Sequence, residues 1–158
     1  MTSSPVRAPG QQSCSFLDTL ARLTSHRQSG QFLAAALREA IQATDSRAGS
    51  LLLVGDRTQR VRAGDMSPEI EKHISLWEES LEQRLRSSSW SIAADETLPV
   101  SSHLVKGTGH LLVNTPLLRG ETVTGLLTVA LAPGDTLSLS QRQALASCAM
   151  IIGNLADI

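Results

Sequence analysis

His110-Leu-Leu-Val-Asn-Thr-Pro-Leu-Leu-Arg-Gly-Glu-Thr-Val-Thr-Gly-Leu-Leu-Thr-Val-Ala-Leu131 is the stretch that decides the fold. Two apolar runs flank the polar tripeptide Arg119-Gly120-Glu121, which reads as a β-hairpin closed by a glycine turn. Gly120 can take a positive φ where a side chain would clash. Nearly every position of the runs is apolar, so both faces of these strands expect cover, as in the centre of a sheet. A buried helix is the competing reading. Gly120, Gly125 and the Thr and Val content favour strand.

Elements on either side of the hairpin can be placed by spacing. Phe32, Leu33, Ala36, Leu37, Ala40 and Ile41 recur at helical intervals, and the helix should end near Thr44-Asp45-Ser46. A shorter helix with Leu17, Leu20, Ala21 and Leu23 on one face precedes it. Ala48 to Val54 is a strand, and Gln59 to Ala63 an edge strand with Val61 and Ala63 inward and Arg60 and Arg62 on a wet face. Ser67-Pro68-Glu69 opens a long helix, with an N-cap hydroxyl, proline at the first helical position and an acid in the first turn. Ile70, Ile74, Trp77, Leu81 and Leu85 form its apolar stripe, and Glu71, Glu78, Glu79 and Glu82 its solvated face. Trp90 to Ile92 reads as a short strand, and Ala93 to Gly109 as an irregular loop. Ser140 and Gln143 suggest a capping box for the last helix, whose stripe is Leu145, Cys148, Ala149, Ile152, Leu155 and Ala156. The sequence stops inside this helix, and continuation into an output domain or linker is expected. Residues 1–14 read as a disordered tail and 15–158 as a single domain.

Composition narrows the function classes. The chain has 158 residues, enough for one core, and a net charge of −1 with scattered basic residues, which speaks against nucleic acid as a partner. Its aromatic side chains are Phe16, Phe32, Trp77 and Trp90, too few for a base-stacking surface. No apolar run approaches the roughly 20 residues of a membrane span, and the N-terminus lacks a signal-peptide core. A cytoplasmic protein without a membrane partner is expected. Cys14 and Cys148 belong to no metal spacing or paired-cysteine motif, so no metal or cofactor is expected.

No nucleophile elbow, zinc-helix or phosphate-loop motif occurs, and the expectation is a protein that is not an enzyme. Of the four histidines, His26 sits in a polar turn and His73 on the border of the long helix. His103 and His110 bracket Lys106; with Asn114 and Trp90 these are the candidate ligand-binding residues, for an anionic or carbonyl-bearing molecule. His110 and Asn114 share strand parity. Loop residues that simply face water are the alternative.

The element order and the wording of the hairpin resemble the GAF domain family, from about Phe16 to the end. Ala48-Gly-Ser-Leu-Leu-Leu-Val-Gly-Asp56 looks like the family's first strand. Leu111 to Val129 looks like its "apolar strand, Pro-Leu, turn, Val-x-Gly-Leu-Leu" signature, and Leu139 to Ala146 like the start of its last helix. PAS domains are a neighbour in architecture. The resemblance implies an α+β fold: a central antiparallel sheet, terminal helices on one face, and a long helix with a loop enclosing a pocket on the other. It also implies a regulatory domain of a bacterial signalling protein. Small-molecule binding would be relayed to an output domain through terminal helices that pair in a homodimer. Leu17, Leu20, Leu145, Cys148, Ile152 and Leu155 are the candidate dimer residues. A ligand-free dimerisation or protein-interaction module is the alternative. The sequence departs from three branches of the family: it lacks cysteines around the pocket for sulfoxide reduction, a Cys-His bilin attachment, and the Asn-Lys-Phe-Asp-Glu motif of cyclic-nucleotide binders.

Overall fold

The computed structural model describes residues 29–55, 57–87, 101–105 and 107–155. The expected tail, the first helix with Leu17 and Leu20, and Trp90, Ile92 and Lys106 lie outside the described residues. Three helices and five strands follow in the order α1 (Ser29–Thr44), β1 (Ala48–Leu53), β2 (Gln59–Gly64), α2 (Pro68–Ser87), β3 (Ser101–Leu104), β4 (Leu111–Arg119), β5 (Thr122–Leu131) and α3 (Leu139–Leu155). The strands form one antiparallel sheet in the order β2-β1-β5-β4-β3.

The hairpin reading holds. Arg119 pairs with Thr122 across a two-residue turn, and Gly120 takes φ +64°. Glycine at the first central position is what such hairpin turns require. A one-residue bulge on β5 shifts the register between Leu117 and Leu118. Pro116 sits just before it, past the last β4 residue that β3 pairs among the described residues.

Helices α1 and α3 pack together on one sheet face. Leu33, Leu37, Leu51, Val113, Leu127, Val129, Leu145 and Ile152 are all buried in the core they share. Two glycines allow this approach. A Cβ on Gly153 would lie 2.1 Å from the Leu118 carbonyl oxygen, and one on Gly49 would lie 2.9 Å from Leu37. Gly125 admits the neighbouring strand, since a Cβ there would lie 2.0 Å from the Leu52 carbonyl oxygen.

Helix α2 covers the other face, and its entry is as read: Ser67 Oγ accepts from the Ile70 amide at 3.4 Å and Pro68 is the first helical residue. Four readings need correction. The α3 capping box is Ser138 with Gln141, each side chain bonding the other's amide region at 3.1 and 2.9 Å; the same Ser-x-x-Gln spacing occurs twice and the helix uses the earlier copy. The loop before the hairpin contains strand β3, which pairs with Leu111 to Asn114 of β4. The Arg60 and Arg62 face of β2 is not simply wet, because α2 lies against it. Finally, Glu78 is not on the solvated side of α2. Its position continues the buried series Ile70, Ile74, Leu81, and its exposure is 0%.

Candidate functional site

Side chains alternate along each strand. Leu127, Val129 and Leu131 point to α1 and α3, so Thr128 and Ala130 point to α2. The register then aligns Asn114, Thr128, Ser50 and Arg62 in one row across β4, β5, β1 and β2, beneath α2. This polar row divides the apolar packing of α2 in two. On one side lie Ile70, Ile74, Leu112, Val105 and Ala130; on the other, Leu52, Leu81 and Val123.

The β2 half of the row is fully satisfied. Ser50 Oγ donates to Glu78 Oε2 at 2.5 Å, and Arg62 Nη1 donates to Ser50 Oγ at 2.8 Å and Glu78 Oε1 at 3.0 Å. Arg62 Nη2 reaches Ser75 Oγ at 2.9 Å. Arg60 Nη2 donates to Glu82 Oε1 at 2.7 Å. Arg86 and Thr58 close on Glu82 Oε2 at 2.9 and 3.0 Å. Arg86 first, then Thr58 and Arg60, hold the Glu82 carboxyl below its ordinary range, against a smaller opposing effect of burial. A buried carboxylate is tolerable only with partners of this kind. The result is a ladder of charged contacts that fastens one edge of α2 to β2.

The β4 half differs. Thr128 Oγ1 is buried, with 0% residue exposure, and has no hydrogen-bond partner among the described residues. Asn114, its register partner, is half-buried and its side chain makes no hydrogen bond among the described residues. A covered hydroxyl without a partner costs about 1–3 kcal/mol. On this side α2 meets β3 through rings alone among the described contacts: Trp77 stands edge-on to His103 with centroids 5.3 Å apart, and His73 lies 6.0 Å from His103. His103 pairs with Leu112 in the register row next to Asn114.

Of the candidate ligand residues, the structure therefore brings His103 and Asn114 together. It separates His110, which precedes β4, with Leu112 between it and Asn114 on that face; four residues of strand span about 13 Å. The His110 ring is engaged elsewhere. Its Nδ1 lies 2.9 Å from the Leu131 carbonyl, which can only accept, so Nδ1 carries the proton. Trp77, Thr128 and Glu78 were not singled out for the site. Trp77 was assigned to the apolar stripe by type, and Glu78 to solvent by charge. The usable signal was Arg60 and Arg62, two cations two residues apart on one strand face.

The candidate dimer residues Leu145, Cys148 and Ile152 are packed against α1 and the sheet within one chain. A helix stripe covered at home is not available to a second copy, so these three are core residues; of the Leu155 side chain nothing is described. The exposed apolar side chains of α3 are Leu139, at 72%, and Met150, at 50%. Burial pushes the Cys148 thiol up to about 11, with Glu39 adding to the shift. Among the described residues no three His, Cys, Asp or Glu stand where they could hold a metal ion, and no helix is long and apolar enough to cross a membrane.

No family model matches the sequence, and no curated protein matches it. Solved structures do match by fold. The GAF domain of a protein described as a sensor histidine kinase from Pseudomonas syringae pv. tomato superposes with a TM-score of 0.63 at 17% identity, over 94% of this chain and 89% of that one. The GAF domain of an Acinetobacter phosphoenolpyruvate-protein phosphotransferase gives 0.59 at 13% identity, over 95% of each chain. The phycoerythrobilin-bound GAF domain of a cyanobacterial phytochrome gives 0.55 at 12% identity, over 94% of this chain and 96% of that one. The five-stranded antiparallel sheet with its three helices is thus a GAF-like α+β fold.

Proposed function

We propose that this chain is a regulatory domain of a signal-transduction protein that senses a small molecule beneath α2. The observation that carries the reading is the asymmetry of α2. One edge is fixed to β2 by Glu78 and Glu82 with their arginines. The other meets β3 through the Trp77 and His103 rings, above the Thr128 hydroxyl, which is buried without a partner among the described residues. A helix held on one side can swing on the other. A molecule that satisfies the groups beneath it binds the swung state better than the closed one, and that difference is what a sensor needs. The sheet is shared with α1 and α3, so a shift in β4 and β5 would reach the terminal helices and, through them, an output domain. No catalytic step is assigned to the domain, and a cytoplasmic setting in a bacterial signalling protein fits it.

The GAF-like neighbours support this reading, since they come from a histidine kinase, a phosphotransferase and a phytochrome. Leu139 and Met150 favour a second role alongside it, or instead of it: pairing of α3 with a second copy or another protein. Leu139 and Met150 are eleven residues, about three helical turns, apart and so share one outer face. The discriminating experiment is a thermal-shift screen of small metabolites on the 158-residue chain, followed by hydrogen exchange of any compound that stabilises it. Protection should change at α2 and β3 first and at α3 second. Failure of every compound to stabilise the chain, together with a dimer lost in Met150→Asp, would replace the sensor by the interaction module.

A further inference from the structure

We infer that the molecule taken up beneath α2 is neutral and planar, with an amide-type edge that offers a donor and an acceptor side by side, and that Asn114 and Thr128 read that edge. The inference rests on the sensing role proposed above and specifies its ligand. The row beneath α2 contains two kinds of polar group. Arg62, Ser50 and Glu78 are consumed by one another. Thr128, whose hydroxyl is buried and unpartnered, and its β4 register partner Asn114, which makes no side-chain hydrogen bond, are not consumed in this way among the described residues. A carboxamide offers an acceptor and two donors, and a hydroxyl one donor and an acceptor. The Thr128 hydroxyl is therefore unmet, and the half-buried Asn114 carboxamide beside it is not tied up within the described residues, so donation and acceptance are both on offer at two adjacent points. A cyclic amide or imide meets both at once.

An anion meets only the donors, and it would bring a charge that needs a cation. The arginines described on this face, Arg60, Arg62 and Arg86, are already held by Glu78 and Glu82. Beside the pair stands a wall of rings. Trp77 and His103 meet at 76°, and a flat molecule can lie against either. Thr128 is covered in the present structure, so entry requires the β3-side edge of α2 to lift. That motion breaks the Trp77–His103 contact and leaves the charge ladder intact. The unpaired hydroxyl of the closed state is paired in the bound one, which couples occupancy to the position of the helix.

Thr115 supplies the control. Its hydroxyl is also buried and unpartnered, but it faces the core beneath α1 and α3. The test uses uracil and succinimide as neutral probes, and phosphate and acetate as anionic ones, with melting temperature and calorimetric titration of the whole chain. The neutral probes should raise the melting temperature progressively as the logarithm of their concentration rises above the dissociation constant, and the anions should not. Thr128→Val should raise the melting temperature of the free protein yet weaken probe binding by about fivefold or more, the effect of one lost hydrogen bond. Asn114→Ala should weaken binding similarly. Thr115→Val should raise the melting temperature and leave binding unchanged. Unchanged binding in Thr128→Val and Asn114→Ala overturns the inference, as does binding of the anions alone; in either case the sensing role stands. If no probe of either class binds, the inference falls, and the metabolite screen decides separately whether the sensing role falls with it.

Discussion

Ser50 on β1 and Glu78 on α2 share a 2.5 Å hydrogen bond between the sheet and the helix, with both residues at 0% exposure. The carboxylate is the only acid buried among the described residues, and it lies between two apolar clusters that would otherwise be one.

That position gives an asymmetric mutational response. Removing Arg62 leaves Glu78 buried with Ser50 and with Arg60, whose nearest approach is 3.7 Å. Breaking a buried pair from one side costs about 3–5 kcal/mol, and Arg62→Met should fall at the lower end because Arg60 remains. Glu78→Leu removes the buried charge instead. It leaves Arg62 partly in water, still bonded to Ser50 and Ser75, so its loss should be the smaller of the two. Urea unfolding of the two variants measures this; equal losses would show that Glu78 is not isolated from solvent.

Glu82 makes the same ladder sensitive to acid. Its folded carboxyl is held below the ordinary value of 4.5 by Arg86, Thr58 and Arg60. A group with a lowered folded pKa contributes stability above its unfolded pKa and loses it as pH falls through the folded one. Stability should therefore decline on acidification below about the ordinary carboxylate range, and Glu82→Gln should flatten part of that decline. Unfolding curves across acid pH for the two proteins give the comparison. An unchanged profile in the variant would assign the acid sensitivity to other carboxylates.

The hairpin was legible because its apolar runs, Gly120 and Gly125 all point one way. Helices α1 and α2 were legible because their spacing and caps agree. Strand β3 was not, since Ser101-Ser-His-Leu104 carries no alternation and takes its shape from pairing with β4. Glu78 was missed because residue type argued for solvent while its place in the series Ile70, Ile74, Leu81 argued for burial. The stripe of α3 was read correctly as apolar, and Leu145, Cys148 and Ile152 of it are covered within the chain by α1 and the sheet. Periodicity reports that a face is covered, not whether the cover comes from α1 or from a second chain. At the site, His103 and Asn114 could be paired by strand parity only once β3 was known; Thr128 sits in a run read throughout as core.

Cys148 should be inert in the folded protein. It packs among Leu33, Leu145 and Ile152, and its pKa is pushed up to about 11, so the reactive thiolate is scarce at neutral pH. In a Cys14→Ser background, a thiol-specific disulfide reagent should modify the chain only after denaturant is added. Rapid labelling of the native variant would mean that α3 detaches from the sheet in solution.

Gly153 tests how tightly α3 is seated. Alanine is a better helix former than glycine by about 1 kcal/mol, so propensity alone predicts that Gly153→Ala stabilises the protein. Packing predicts the reverse. The added Cβ would lie 2.1 Å from the Leu118 carbonyl oxygen and 2.8 Å from the Leu118 nitrogen, both backbone atoms of β4 next to the bulge. Neither can rotate away, so α3 or β4 must shift, and forced overpacking of this kind costs about 1–3 kcal/mol. The net effect should be a loss of up to roughly 2 kcal/mol after the propensity gain is subtracted. Gln143→Ala, on the exposed face of the same helix, carries no such clash and should be neutral or slightly stabilising. Thermal unfolding of both variants separates the two effects, and a stabilised Gly153→Ala would mean that α3 rides farther from β4 than the structure places it.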